Sequence, residues 1–338
     1  MMPLFALGGI LSTPDTPLIA AWCLGIWAAL ESRWRWFGVA AGCAMLSKYT
    51  GALLPLCILI AEPRSLRKRE LWEAIAIATL IFIPNLWWNH AHDWASFRFQ
   101  LSHIGEASGE NERLAFFLGQ MVLAGPLTIL VGTLWLFSSH KTRRSRILAV
   151  SFALPWVIGI IVGGEANWAA PAYVSLAFAF SEMKGKWEKA AWSALSLNIV
   201  ISGFLLAHAW SPIVDIKEDP VHRTKGGDVL AGAVTGWTDT PLLTERYQEA
   251  SWIQFYSDVE ASVFPNQGRS TQYDIWGVSL PDKGILIRPK TTYPPPYLQD
   301  NGLRWTEIHS IFHDEESKSG KEQIPHAWDV IHFKRAQP

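Results

Sequence analysis

A series of long apolar stretches in the first 209 residues constrains the fold most strongly. They are separated by short polar turns and lie at about 1–11, 17–30, 36–46, 49–61, 71–88, 114–138, 147–162, 168–180 and 187–209. An α-helix needs about 20 apolar residues to cross a bilayer, and shorter stretches can tilt or extend into the turns beside them. The pattern predicts a mostly α, polytopic transmembrane helical bundle. The 19 tryptophans suit it, because indole rings favour membrane interfaces.

The composition changes near residue 210. Residues 1–209 carry 16 Lys and Arg against 12 Asp and Glu, whereas residues 210–338 carry 13 against 18. We therefore predict a transmembrane helical domain over 1–209 and a small soluble α/β domain over 210–338. All three cysteines lie in apolar stretches of the first part, which excludes a disulfide framework in the second. The absence of a basic patch argues against a nucleic-acid partner.

Patterning in the soluble part predicts one helix and several strands. Helical spacing predicts a helix over 241–256, and short apolar runs predict strands at 261–264, 273–276, 285–288, 305–312 and 330–333. His309 and His313 are four residues apart, a spacing that would align two metal ligands on a helix. Their apolar neighbours fit a strand equally well, so the sequence does not assign a metal to them.

The distribution of basic residues predicts the orientation in the membrane, because short cytoplasmic loops collect Lys and Arg. One alternate set of loops holds 13 of these residues, and the other set holds Lys48, Arg98 and Arg113. The second set predicts an extracytoplasmic face made of the turns at 12–17, 47–51, 89–113 and 163–168. The soluble domain is then expected on that side too.

Three charged side chains at the edges of apolar stretches are candidate site residues, because ionisable groups in a bilayer are costly and often functional. Asp15 lies in the turn 13–18 and could bind a metal, orient a hydroxyl or act as a base, or simply cap a helix. Lys48 could neutralise a lipid phosphate or extend passively to the interface. Glu165 could meet Asp15 across a cavity or serve as a second helix cap.

The segment 85–100 alternates aromatic and polar residues and is typical of an interfacial helix across the mouth of a cavity. His90, His92 and Asp93 within it offer zinc-ligand types. No matching ligand spacing occurs nearby, so a zinc site has little support in the sequence.

The motifs at 13–18, 46–50, 88–100 and 165–171, in this order, resemble the bacterial branch of glycosyltransferase family 39. Segments 222–227 and 271–276 resemble longer members. The resemblance implies a GT-C-like inner-membrane enzyme with a periplasmic C-terminal domain. It would move a sugar from a polyprenyl-phosphate carrier to an extracytoplasmic acceptor, with a divalent cation as a conceivable cofactor and membrane lipid as a further contact. It implies catalytic roles for Asp15 and Glu165, and donor-binding roles for the following residues: Lys48, Tyr49, Asn89, His90, His92, Asp93, Arg98, Asn167, Trp168 and Tyr173.

Family members begin with two further helices and an acidic outer loop that have no counterpart before Met1. This departure predicts a truncated chain that is inactive as it stands. The competing hypothesis is a transporter or assembly partner with Asp15 and Glu165 along a solute path. Transporters usually place such groups at the bilayer midplane within paired repeats, and neither feature is evident here.

Overall fold

The computed structural model describes most of the chain in two compact units, Met1–Ser211 and Pro212–Pro338. The described residues are 2–8, 13–106, 110–139, 142–211, 213–214, 226–237, 239–265, 271–277, 279–290, 295, 297–313 and 326–336. Residues 222–225, which contribute to the predicted resemblance, lie outside them.

The described part of the N-terminal unit is helical. Its α-helices are α1 (Pro3–Gly8), α2 (Asp15–Leu30), α3 (Trp34–Ser47), α4 (Leu53–Ala61), α5 (Arg69–Ala91), α6 (Ala95–Glu106), α7 (Glu110–Ala124), α8 (Pro126–Ser139), α9 (Arg143–Val162), α10 (Ala172–Glu182) and α11 (Lys186–Trp210). Short 3-10 helices occupy Tyr49–Ala52, Pro63–Arg67 and Ala166–Ala169.

Three of the described helices, α5, α9 and α11, are long and apolar enough to cross a membrane. Helices α7 and α8 meet these criteria only as a pair that bends by 94°. The predicted apolar run 114–138 thus forms two helices that meet at a sharp bend. Gly125, with φ of 83°, lies in the left-handed region just before Pro126, and the two residues together interrupt the helical hydrogen bonding. The mostly helical prediction is confirmed, and the complete polytopic bundle stays a prediction.

The core of this unit depends on small residues that let helix backbones approach. Gly38 on α3 faces Ala74 on α5, and a Cβ there would lie 2.4 Å from the Ala74 carbonyl oxygen. On α2, the side chains of Leu18, Trp22 and Ile26 are fully buried. Close backbone contact through small residues is the usual way in which helices associate where lipid removes the hydrophobic driving force. This packing holds helix α2 against helix α3.

The C-terminal unit contains a mixed five-stranded sheet in the order β2-β1-β3-β5-β4. The pairs β1–β2 and β1–β3 are parallel, and the pairs β3–β5 and β5–β4 are antiparallel. Its strands are β1 (Leu242–Thr244), β2 (Ala261–Val263), β3 (Lys283–Pro289), β4 (Leu303–His313) and β5 (His326–Arg335), and its helices are α12 (Gly227–Val234), α13 (Tyr247–Tyr256), α14 (Gln272–Trp276) and α15 (Tyr297–Asp300).

Two of the predicted elements in this unit are wrong. The helix predicted over 241–256 begins only at Tyr247, because the buried residues Leu242–Thr244 form β1 between two neighbouring strands. The strand predicted at 273–276 is α14. A capping box starts this helix, since the backbone N–H and hydroxyl of Thr271 both donate to Asp274 Oδ2. The strands predicted at 261–264, 285–288, 305–312 and 330–333 are confirmed, with shifted ends.

Candidate active site at the N-terminal end of helix α2

Asp15 is the first residue of α2 and the centre of the candidate site. Its carboxylate is largely buried and accepts hydrogen bonds from two distant residues. Lys48 Nζ donates to Oδ1 at 2.8 Å, and Asn167 Nδ2 donates to Oδ2 at 2.9 Å. A carboxylate also interacts favourably with the positive end of the helix dipole. Both carboxylate oxygens of Asp15 are therefore in contact with predicted site residues.

Lys48 reaches Asp15 because helix α3 stops one residue before it. Lys48 has an extended backbone, with φ of −159° and ψ of 143°, and separates α3 from the 3-10 helix Tyr49–Ala52. Gly51 makes the tight return possible, since a Cβ there would lie 2.2 Å from the Ala44 carbonyl oxygen. The lysine side chain is 24% exposed, so its ammonium group contacts Asp15 and remains accessible to a ligand.

Asn167 reaches Asp15 from the 3-10 helix Ala166–Ala169. Its Nδ2 must face the Asp15 carboxylate, because only the amide nitrogen can donate. Its Oδ1 is consequently left buried, with no hydrogen-bond partner among the described residues. A buried acceptor without a partner is costly, and a hydroxyl or water bound at the site would satisfy it.

Glu165 precedes Asn167 on the same segment and is exposed. Asn167, not Glu165, makes the direct contact with Asp15. Trp168 follows and is half-buried. Its indole packs on Gly164, where a Cβ would lie 2.4 Å from Trp168 Cε3.

Gln120 supports the Asn167 segment and was missed by sequence reasoning. It is fully buried on α7 and donates through Nε2 to the backbone oxygens of Phe116 and Ala166, both at 2.9 Å. The buried Tyr173 hydroxyl donates to Gln120 Oε1. The signal that could have identified Gln120 is a lone amide inside the apolar stretch 114–138, since polar residues in such stretches are rare.

A second hydrogen-bonded group surrounds Tyr49, next to Lys48 in the chain. The Tyr49 hydroxyl donates to Asn85 Oδ1 at 3.2 Å and accepts from Asn89 Nδ2 at 3.3 Å. Asn89 is fully buried and accepts from the Ser96 backbone N–H at 3.1 Å, which links the end of α5 to the start of α6. Tyr49 and Asn89 thus position the backbone that presents Lys48.

The remaining predicted site residues lie at the end of α5, on the turn that follows it and at the start of α6. His92 stacks on Trp88 at 4.2 Å, and its Nδ1 lies 2.8 Å from the Trp88 carbonyl oxygen. His90, Asp93 and Arg98 are exposed. Asp93 has a left-handed backbone, with φ of 53°, and Trp94 follows it with φ of 59°. None of the side chains on this turn has a hydrogen bond to Asp15, Lys48 or Asn167 among the described contacts.

The opposite end of α2 has a different electrostatic character. Helix α2 has 16 residues, so its ends are about 24 Å apart. Arg143 donates there to the backbone oxygens of Ala29 and Leu30 and to Glu62. Burial raises the pKa of Glu62, but hydrogen bonds from Arg143 and Lys68 outweigh it and hold the pKa below its usual value. The basic end of α2 and the Asp15 end are thus separate.

A metal-binding group of three side chains does not occur around Asp15 among the described residues. The three His, Cys, Asp or Glu side chains that lie close enough to share an ion are Glu307, His309 and His332 of the C-terminal unit. The described residues around Asp15 therefore supply no set of ligands for the divalent cation that the sequence suggested.

Residues 1–88 match the family described as dolichyl-phosphate-mannose-protein mannosyltransferase. The match includes Asp15, Lys48 and Tyr49 and ends one residue before Asn89. The predicted resemblance to glycosyltransferase family 39 is confirmed.

The chain is also similar to a curated protein, lipid A galacturonosyltransferase RgtD of Rhizobium johnstonii. The two are 29% identical over 182 residues. The alignment covers 49% of the chain and 38% of the relative, so it spans well under half of that protein. No solved structure matches the chain.

Proposed function

We propose that this chain acts in a membrane glycosyltransferase that moves a sugar from a polyprenyl-phosphate carrier to an extracytoplasmic acceptor. The observation that carries the proposal is Asp15, held between Lys48 and Asn167 while Asn167 Oδ1 stays buried without a partner among the described residues. The site thus offers one cation for a phosphate and one acceptor for a sugar hydroxyl.

Lys48 is the group that would bind the carrier phosphate. An ammonium has three donors, and the described structure uses one of them on Asp15. When the bond from the anomeric carbon to the phosphate oxygen breaks, its electron pair leaves with the polyprenyl phosphate. A fixed cation beside that oxygen stabilises the growing negative charge.

Asp15 and Glu165 are the carboxylates that would handle the acceptor. As the acceptor oxygen bonds to the anomeric carbon, its proton must pass to a base. Glu165 is exposed beside Asn167 and is suited to take that proton. Asp15 is already engaged on both oxygens, so its role is to orient Lys48 toward the carrier phosphate and Asn167 toward the sugar. The exposed residues His90, Asp93 and Arg98, on and beside the turn between α5 and α6, are proposed to meet the carrier headgroup.

The comparison supports lipid A as the first acceptor to test, because the relative is named a lipid A galacturonosyltransferase. The proposed location is the inner membrane, with the C-terminal unit on the extracytoplasmic side.

The binding experiment uses the full chain in lipid nanodiscs and radiolabelled undecaprenyl phosphate, with undecaprenol as the competitor that lacks the phosphate. We expect saturable binding that undecaprenol does not displace. Lys48→Met should weaken the binding at least about tenfold, the cost of losing about 1.4 kcal/mol of interaction. Lys189→Met, a matched change at an exposed position on α11, should leave it unchanged. Equal displacement by both lipids, or equal effects of both substitutions, would overturn the proposal.

The transfer experiment measures galacturonate moved from its polyprenyl phosphate to lipid A, by the chain and by an N-terminally extended form of it, and the substitution is compared in the form that shows turnover. Glu165→Gln should lower kcat more than it changes KM, since the base acts mainly in the transition state. Donor binding without transfer to lipid A would refute lipid A as the acceptor and would support a polyprenyl-phosphate sugar as the donor.

A further inference from the structure

Three potential metal ligands lie together on one face of the hairpin-like pair β4 and β5. Glu307 and His309 are two residues apart on β4, so their side chains point to the same face of the sheet. His332 on β5 pairs directly with Glu307 in the antiparallel register. Side chains of directly paired residues project to the same face, so the register brings the three groups together.

The distances between these groups suit one small cation. His309 Nε2 lies 2.9 Å from Glu307 Oε1, and the rings of His309 and His332 are 5.8 Å apart in an edge-on arrangement. One ligand atom from each of the three residues lies within 4.8 Å of the others. Tetrahedral zinc, with bonds of about 2.0–2.2 Å, needs its ligand atoms roughly 3.4 Å apart. Small side-chain rotations therefore suffice to complete the geometry.

From this geometry we propose that Glu307, His309 and His332 bind a zinc ion. Two imidazoles and one carboxylate are ligand types that zinc favours. Three protein ligands leave the fourth tetrahedral position to water or to a donor atom from another molecule. The ion would connect β4 to β5 across their hydrogen-bonded pair.

The surroundings hold the ligands in place while leaving an entry route. The Trp237 ring packs edge-on against His332 at 6.4 Å and limits its rotation. An irregularity in strand pairing lies between Trp305 and Glu307, and such bulges redirect the side chains that follow them. Glu307 and His309 are exposed, so an ion reaches them directly from solvent.

Sequence reasoning considered His309 with His313 and assigned no metal. The strand explains why that pair is unsuitable, because four residues along a strand span about 13 Å. The partner of His309 comes instead from β5, 23 residues further along the chain, which no local spacing reveals.

The competing explanation is an exposed ion pair between His309 and Glu307 without a metal. Such pairs contribute little, and this one involves only two of the three clustered side chains. A zinc titration distinguishes the two, because an ion pair alone binds no stoichiometric metal.

The experiment is isothermal titration of ZnCl2 into the purified full chain in detergent after EDTA treatment and dialysis. We expect one site per chain that is absent from the combined Glu307→Gln, His309→Gln, His332→Gln variant. Each single substitution should weaken binding at least about tenfold, since loss of even outer contacts to a ligand costs about 10–100-fold. Cobalt should bind at the same site with the visible absorption of four-coordinate cobalt.

Glu260→Gln is the matched control for Glu307→Gln. It removes the same charge from an exposed position next to β2, at the opposite edge of the sheet. It should leave zinc affinity unchanged. Glu307 is exposed, so Glu307→Gln keeps the fold, and unchanged unfolding in EDTA verifies this. Two results would overturn the proposal. Either the wild-type chain binds no zinc, or the wild-type chain and the triple variant bind zinc equally well.

Discussion

The contact between Lys48 and Asp15 provides the most direct test of the site. Lys48→Met removes the ammonium and leaves the Asp15 carboxylate with the Asn167 amide as its remaining described donor. At 2.8 Å the direct attraction is about 6 kcal/mol with an effective dielectric constant of about 20. Desolvation of both groups offsets much of this attraction.

The exposure of the two side chains determines how much remains. The side chains of Lys48 and Asp15 are 24% and 13% exposed. The pair is thus intermediate between surface pairs, which contribute about 0.2–1 kcal/mol, and buried pairs, whose disruption costs about 3–5 kcal/mol. We therefore expect a coupling energy of about 2 kcal/mol between Asp15 and Lys48.

A double-mutant cycle measures this coupling directly. The variants are Asp15→Asn, Lys48→Met and the double variant, and the measurement is reversible unfolding of the full chain in mixed detergent micelles. Asparagine keeps an oxygen that can accept from Asn167 Nδ2, so Asp15→Asn removes mainly the charge. The double variant should be less destabilised than the sum of the single variants.

The pair Arg35 and Glu73 is the matched control within the same unit. It joins α3 to α5 at 3.0 Å, but its side chains are 77% and 32% exposed. Its coupling should be below about 1 kcal/mol. If both cycles give the same coupling, the Asp15 contact is an ordinary surface pair and the reasoning about a desolvated site is refuted.

Two further predictions concern other parts of the chain. Burial raises the pKa of Glu249 to about 7, above its ordinary 4.5. The folded state should therefore lose up to about 3 kcal/mol of stability as the pH rises from about 4.5 through about 7. Glu249→Gln should abolish this loss in unfolding measured from pH 4 to 8, and an unchanged pH profile would contradict it. Gly164→Ala should destabilise by about 1–3 kcal/mol and weaken undecaprenyl phosphate binding, because the new methyl displaces Trp168 beside Asn167. Gly203→Ala is the control, because an added Cβ there would meet no atom within 4 Å outside its own stretch of helix. Equal effects of the two alanines in both assays would refute the role of this contact.

Several features of the site could be predicted from local sequence. A carboxylate at the start of α2 and a lysine just after α3 are both visible as charges at the edges of apolar stretches. The resemblance to family 39 also rests on these local motifs. The exact partner on the third segment could not be predicted, because Glu165 and Asn167 are equally plausible from position alone.

The support of the site required the tertiary structure. Gln120 holds Ala166 across 46 residues of sequence, and its lone amide gives no indication of which carbonyl it meets. The soluble unit shows the same limit, since Leu242–Thr244 has an apolar pattern compatible with helix or strand. Its position between β2 and β3 decides the matter, because only a strand satisfies their backbone hydrogen bonds.

The sequence by itself determined the apolar segments, the mostly helical class of the N-terminal unit and the charged residues at the segment ends. These follow from hydrophobic length and charge, which are local properties of the chain. The tertiary structure alone decided that Asp15 meets Lys48 and Asn167, 33 and 152 residues away, and that Glu307 and His309 meet His332. Such meetings depend on which helices and strands pack or pair together, and packing is a property of whole surfaces that no single segment specifies.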